Sequence, residues 1–286
     1  MYEKFYGLRS NPFALTPDPA YLYMGRQHRH TLTLLEYALS QGSCFALISG
    51  EIGSGKTTII NYLLSRVAQG LRIGLITNTH TGIGPLLPWI MQSLGVAANR
   101  TGNAELYDSF ARFLEREHQA GRRVVLIIDE AQNLTAGSLE ELRVLSNLNG
   151  SKGLLLQTIL VGQPELRATL RSPGMRQFAQ RIAIDYHIMP LQREETHAYI
   201  RHRIGVAGGN AELIAADARE LVHASTGGVP RLINQVCDTA LVYGYAEQRK
   251  PVEAELVGQV LRDRGASGLL PLVDLRRVAD GAVAVE

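Results

Sequence analysis

The sequence predicts an α/β fold, a parallel sheet flanked by helices, followed by a smaller all-helical domain. Three observations predict it. Short apolar runs alternate with helical stretches through the first two thirds of the chain, the pattern of repeated strand–helix–strand units with right-handed crossovers. The stretch "GEIGSGKTT", Gly50–Thr58, lies between one such run and a helical one. After about Pro190 the strand pattern stops and helical patterning continues alone.

Taken in order, residues 1–26 read as an extended arm, because "NPF" and "TPDP" are turn chemistry and each proline biases the residue before it away from helix. A helix is expected over Gln27–Ser40. "CFALIS" (Cys44–Ser49), bounded by Gly42 and Gly50, reads as a buried strand. A helix follows from about Lys56 to Gln69, then the strand "RIGLITN", then helices around Pro85–Leu94 and Glu105–Ala120, where Trp89 and Tyr107 read as core. "RVVLIID" (Arg123–Asp129) is the next strand. In "SLEELRVLSNL", Leu139, Leu142, Leu145 and Leu148 form a helical apolar stripe. "GLLLQTILVG" and "RIAIDYHI" complete the strands. Glu194–Ile204, Ala211–Ala224, Val229–Glu247 and Val252–Arg262 read as helices. The resulting division is an arm over 1–26, an α/β nucleotide-binding domain over 27–190, a helical domain over 191–264, and a tail over 265–286 with no clear pattern.

Composition narrows the class. At 286 residues, 45 % hydrophobic and 20 % charged, the chain can bury a large core and a smaller second one. A net charge of +2 does not by itself point to nucleic acid. No run of eighteen apolar residues occurs and the N-terminus lacks the apolar stretch of a signal peptide, so neither a membrane span nor export is expected. Cys44 and Cys237, far apart in apolar contexts, read as two buried, inert thiols. A cytoplasmic protein fits.

The chemistry begins at Gly50–Thr58. Glycine, four residues, then glycine-lysine-threonine between a strand and a helix is the phosphate-loop pattern. Gly50, Gly53 and Gly55 allow tight turning and close approach to phosphate oxygens. Backbone N–H groups of Gly50, Glu51, Ile52, Gly53, Ser54, Gly55, Lys56, Thr57 and Thr58 make the candidate cradle, helped by the helix N-terminus. Lys56 can reach the β- and γ-phosphates, and the Thr57 hydroxyl can ligate Mg²⁺. Downstream, "LIIDEAQNL" runs apolar residues into adjacent carboxylates, Asp129 and Glu130. With a phosphate loop upstream they divide the work. Asp129, on a strand expected beside the loop, serves Mg²⁺, and Glu130 orients and deprotonates the attacking water. The competing reading is a pair of helix-capping acids.

These stretches, with "FYGLRSNPFALTPDPAYLY", "LEELRVLSNL", "LVGQPELR", "RQFAQRI" and "STGGVPRLINQVCD", resemble the AAA+ superfamily of P-loop NTPases, and within it the ExeA/GspA-like ATPases of the general secretion pathway. The resemblance covers nearly the whole chain to about residue 263. It is similar, more distantly, to TniB- and MuB-type ATPases of DNA transposition. The resemblance implies further roles. Gln163 takes the sensor-1 position, touching the γ-phosphate or its water; the alternative is a helix-capping or turn residue. Arg181 is the arginine finger acting on a neighbouring subunit's nucleotide, with Arg176 the runner-up. Arg231 is sensor 2, reaching the phosphates from the helical domain, which acts as a lid. Pro12, Phe13, Tyr21 and Tyr23 of the arm close over adenine or pack on the body of the domain.

The implied protein is a Mg²⁺-dependent ATPase, binding and hydrolysing ATP at the β–γ phosphoanhydride. Its nucleotide state would control assembly or partner binding in a secretion or envelope-export system. It would form a homo-oligomer with active sites at subunit interfaces. The alternatives are a DNA-binding ATPase regulating transposition, with double-stranded DNA and a transposase as partners, and a nucleotide-dependent binding switch with little turnover. Secretion-type members generally continue into a membrane span and a cell-wall-binding region. This sequence has no such span, which argues against a direct role at the cell wall; the expectation is a cytoplasmic protein, either peripheral to the inner membrane through a separate partner or of a different branch altogether.

Overall fold

A computed structural model describes the chain apart from residues 17, 68–69, 78, 80–83, 98–101, 150–152, 268–271 and 273–286. Most of the tail expected over 265–286 therefore lies outside the described residues. In chain order the elements are α1 (Glu3–Tyr6), α2 (Arg26–Gln41), β1 (Phe45–Gly50), α3 (Lys56–Val67), β2 (Leu71–Ile76), α4 (Leu87–Ser93), α5 (Asn103–Gln119), β3 (Arg123–Ile128) and α6 (Ala136–Leu145). There follow β4 (Leu156–Gly162), α7 (Pro164–Arg171), α8 (Arg176–Ala179), β5 (Ile182–Ile188), α9 (Arg193–Val206), α10 (Ala216–Thr226), α11 (Pro230–Ala246) and α12 (Ala254–Ser267). The chain divides into two compact units. One takes His28–Glu51 and Ile59–Ile188. The other takes Met1–Gln27, Ile52–Thr58 and the chain from Met189 onward.

The first unit is built on a five-stranded, wholly parallel sheet in the order β2-β3-β4-β1-β5. β1 and β4 are buried at every residue and β3 at every residue but Arg123. This explains why these strands read as unbroken apolar runs, since a parallel sheet is covered on both faces. β4 lies between β1 and β3, so the strand leading to Asp129 is one strand removed from the loop strand rather than beside it. The α6 stripe packs as its spacing predicts. Leu139, Leu142 and Leu145 are at most 1 % exposed, against Phe110, Leu126 and Phe178 of the same core. One expectation fails here. Trp89 is 42 % exposed rather than core, because Ile90 and Met91 are the residues of α4 that turn inward; Tyr107 is half-buried and packs against the core.

The second unit packs α9–α12 around Ile200, Ile204, Val222, Ile233, Val236, Cys237, Leu241 and Leu256. Cys237 is fully buried, as expected; Cys44, in the sheet unit, is only half-buried. The N-terminal residues belong to this core. The arm is not extended throughout, since α1 and a one-turn 3-10 helix at Pro19–Tyr21 interrupt it. Tyr2, Tyr6, Leu8 and Phe13 are at most 8 % exposed, and a side chain like Phe13 contributes roughly 2–3 kcal/mol on such burial. Arg203, 8 % exposed, ties the arm down. Its Nε donates to the Pro12 carbonyl at 2.5 Å and its Nη2 to that of Ala14 at 3.2 Å. The guanidinium lies 4.8 Å from the Tyr21 ring centre. α10 starts five residues later than its periodicity suggested. Leu213–Ala215 instead make a parallel bridge to Val252, through Val252 N to Leu213 O (2.8 Å) and Ala215 N to Val252 O (2.9 Å). No helix among the described residues is long and apolar enough to cross a membrane.

Candidate nucleotide site

The loop leaves β1 at Gly50, at the carboxyl edge of the sheet, and α3 begins at Lys56. Gly53 (φ +81°) and Gly55 (φ +93°) both hold left-handed backbone, which is why glycine stands there. Gly53 has a second reason. A Cβ on it would lie 2.2 Å from the Arg231 Cβ, and the Arg231 N–H donates to the Gly53 carbonyl at 3.3 Å. The N-terminus of α11 is thus seated on the loop, with Arg231 as its second residue after Pro230. The "GGVP" turn that aims it is equally constrained. Gly228 has φ +78°, and a Cβ there would meet the Leu191 carbonyl oxygen at 1.9 Å. Lys56 is 6 % exposed, so its ammonium is largely withdrawn from water. Thr57 is half-buried, and Glu51 and Ile52 are exposed.

The carboxylates occupy the end of β3. Asp129 is 4 % exposed and extends the sheet ladder by one bond, its N–H donating to the Ile76 carbonyl at 2.8 Å. Glu130 has φ +54°, left-handed for a residue with a side chain. Such a conformation costs about 1–2 kcal/mol and persists only where the surroundings fix it. The fixing contacts are present. The Glu130 N–H donates to Asp129 Oδ1 at 2.9 Å, and the Thr79 hydroxyl donates to the Glu130 carbonyl at 2.7 Å. Asn133 Nδ2 in turn donates to the Thr79 carbonyl at 2.9 Å. Glu130 precedes a one-turn helix, Ala131–Asn133, yet its side chain makes no cap bond.

Gln163 meets Glu130. Register pairs Ile128 with Leu160, so Gly162 lies level with Glu130 and Gln163 just beyond. Gln163 Nε2 donates to Glu130 Oε2 at 3.2 Å, and its side chain does not cap α7. Gln132, to which no motif pointed, completes the group. Its Nε2 donates to the same Oε2 at 2.6 Å while its Oε1 accepts from the Gln163 N–H at 3.0 Å. The signal was its place in "DEAQN", two residues after Glu130. Gly162 leaves room for it, since a Cβ there would lie 3.0 Å from Gln132 Oε1. Ser49, the penultimate β1 residue, also has a partner no motif suggested: its hydroxyl lies 3.0 Å from His187 Nδ1 on β5.

The two arginine candidates differ. Arg181 turns inward to the end of α6, where its Nη1 donates to the Arg143 carbonyl (3.2 Å) and to the Ser146 hydroxyl, and its Nη2 donates to Asn147 Oδ1 (2.8 Å). It closes the C-terminus of that helix, where a cation is favourable. Arg176, the first residue of α8, is exposed.

A wholly parallel sheet in this order, a glycine loop after β1, and an Asp-Glu pair after β3 define a P-loop protein of the AAA class. A family model described as AAA domain matches residues 40–170. The chain is 40 % identical over 247 residues to General secretion pathway protein A of Aeromonas hydrophila, an alignment covering 86 % of this chain. The chain thus carries an AAA domain and is similar in sequence to that secretion protein, of whose length it spans 45 %. The fold is also that of the Aeropyrum pernix ORC2 protein, solved in ADPNP-ADP complexes, with a TM-score of 0.65 at 17 % identity over 94 % of this chain and 74 % of that one. Cdc6p from Pyrobaculum aerophilum gives 0.65 at 17 % identity, over 88 % and 70 %.

Proposed function

We propose that the chain is a Mg²⁺-dependent ATPase whose nucleotide state governs assembly or partner binding in a secretion or envelope-export system. The observation that carries the enzymatic reading is Glu130. A non-glycine residue in a costly left-handed conformation, one residue after a buried aspartate, has its carboxylate held by Gln132 and Gln163. Structural capping does not account for that arrangement, and a positioned general base does.

In this reading the loop N–H groups and Lys56 hold the phosphates of the substrate ATP. The paired left-handed glycines supply the cradle. Thr57 and Asp129 present hydroxyl and carboxylate oxygens, the donors Mg²⁺ takes, and the ion would neutralise charge on the β- and γ-phosphates. Both amide bonds to Glu130 fall on Oε2, which leaves Oε1 to take the proton of the attacking water. Gln163 then lies within reach of that water. Arg231 acts from the seated end of α11 on the same phosphates. Because Arg181 is engaged within its own chain, we assign the arginine finger to Arg176, acting on a neighbouring subunit in a homo-oligomer. The coupled process follows from the relative's name alone.

The test is steady-state phosphate release with fluorescent ATP-analogue binding. Lys56→Ala should weaken binding about ten- to a hundredfold, the loss of a charge-assisted bond of roughly 1.5–3 kcal/mol. Unchanged affinity would remove the phosphate-loop assignment. Duplex DNA added at low salt should leave the rate unchanged. A salt-sensitive stimulation would instead favour a DNA-coupled process.

A further inference from the structure

We infer that the cleft between α4 and α6 is a docking pocket for a basic, apolar-flanked segment of a protein partner. It does not depend on the nucleotide reading. The cleft encloses about 500 Å³ between the start of α4, the start of α5 and the α6 face that carries Glu141 and Val144. Its walls are apolar at Leu87, Leu106, Val144 and Leu145, and the polar groups among its described lining residues are hydroxyls, an amide and one charge, Glu141.

Glu141 sets the ligand's charge. Its two oxygens accept the backbone N–H groups of Leu86 (2.8 Å) and Leu87 (2.9 Å), fastening the start of α4. Each carboxylate oxygen can accept a second bond. No lysine, arginine or histidine is among the described residues lining the cleft. A half-buried carboxylate in an apolar-walled cleft, with no cation among the described lining residues, is complementary to an ammonium or guanidinium carried on an aliphatic stem.

Two further features favour a macromolecular source. Val144, which lines the cleft, is 38 % exposed, so the cleft has an apolar rim of the kind that anchors protein interfaces. Gly137 lies in the first turn of α6 and lines the cleft. Its backbone is not left-handed, and a Cβ on it would meet nothing closer than the Thr135 hydroxyl at 3.6 Å. Neither conformation nor packing requires glycine there, although glycine is a poor helix residue. Glycine leaves that part of the cleft wall without a side chain.

The experiment uses the full chain with ¹³C-methyl leucine and valine, titrated with a capped leucine–lysine–leucine tripeptide and its leucine–glutamate–leucine counterpart. Trp89, the sole tryptophan, gives a second optical reading. The lysine peptide should shift the methyls of Leu87, Leu106, Val144 and Leu145 saturably, and the glutamate peptide should not. Glu141→Gln should weaken binding by about tenfold or more. Because that change also alters a helix cap, Gly137→Leu is the independent arm. It fills the cleft from an exposed helix start and should abolish the response while the other methyls stay in place. No shift at tens of millimolar peptide, equal response to both peptides, or binding that survives either substitution would each overturn the assignment.

Discussion

Glu130 concentrates several constraints in one residue: a left-handed backbone, a carbonyl held by Thr79, and a carboxylate shared with two amides. Glu130→Gln keeps the size and removes the base. It should retain ATP affinity and lose about 10²–10⁴-fold in turnover, read as phosphate release at saturating ATP. Wild-type turnover would end the role. Gln132→Ala tests positioning. It should lower kcat with little change in KM, because it touches the base rather than the phosphate cradle. Gln132→Glu should be worse, placing two carboxylates together. Much of this was legible in the sequence. "GKTT" and "DE" are local patterns whose residue types follow from phosphate and metal chemistry. Gln132 was not, because its importance comes from register between β3 and β4, which no single stretch encodes. Arg181 was read from its neighbours, and its inward turn depends on where α6 ends.

The elements explain their own glycines. Gly53 and Arg231 are far apart in sequence, yet the α11 N-terminus and the loop approach until a Gly53 Cβ would lie 2.2 Å from the Arg231 Cβ. Gly53→Ala should therefore fail twice, through its positive φ and through the clash. It should cost about 1–3 kcal/mol in stability and also weaken ATP binding. The contact is tested by a double-mutant cycle using urea unfolding. Arg231→Ala leaves the offending Cβ in place and should not rescue Gly53→Ala, whereas Arg231→Gly removes it and should recover part of the loss. Equal behaviour of the two double variants would show that φ alone matters. The strands and most helices were legible because burial on both faces leaves continuous apolar runs and packing on one face leaves a stripe. The start of α10 was not, because a long-range bridge to Val252 captured residues with helical propensity. α7 was hidden by the proline that opens it, a favourable first helical residue.

At the scale of the whole molecule, pH and self-association give separate tests. His202 and His223 titrate below the ordinary histidine value of 6.5, chiefly because burial disfavours the charged ring; Arg203 adds to this at His202. The unfolded chain then binds more protons than the folded one just below that value. Stability should be full above about pH 6.5 and fall as pH drops toward the depressed folded values. A melting temperature flat from pH 7.5 to 5.5, roughly the window concerned, would contradict it.

The assembly prediction concerns the finger. Arg181→Ala should destabilise by about 1–2 kcal/mol, since it strips hydrogen bonds from the end of α6, and should be active where folded. Arg176→Ala should be folded and nearly inactive, because a finger is worth about 10³–10⁵ in rate in the best-studied cases. Mixing Arg176→Ala with Glu130→Gln should restore phosphate release. At a mixed interface the Arg176→Ala subunit offers a working base and its Glu130→Gln neighbour offers the arginine. A residue acting within its own subunit cannot be rescued so, because no subunit in the mixture has both parts. The rate across mixing ratios, at concentrations where the chain self-associates, should peak near equal amounts. A flat profile despite proven co-assembly, with Arg181→Ala inactive although folded, would return the finger to Arg181. A flat profile with no self-association at any nucleotide state would mean that each chain works alone.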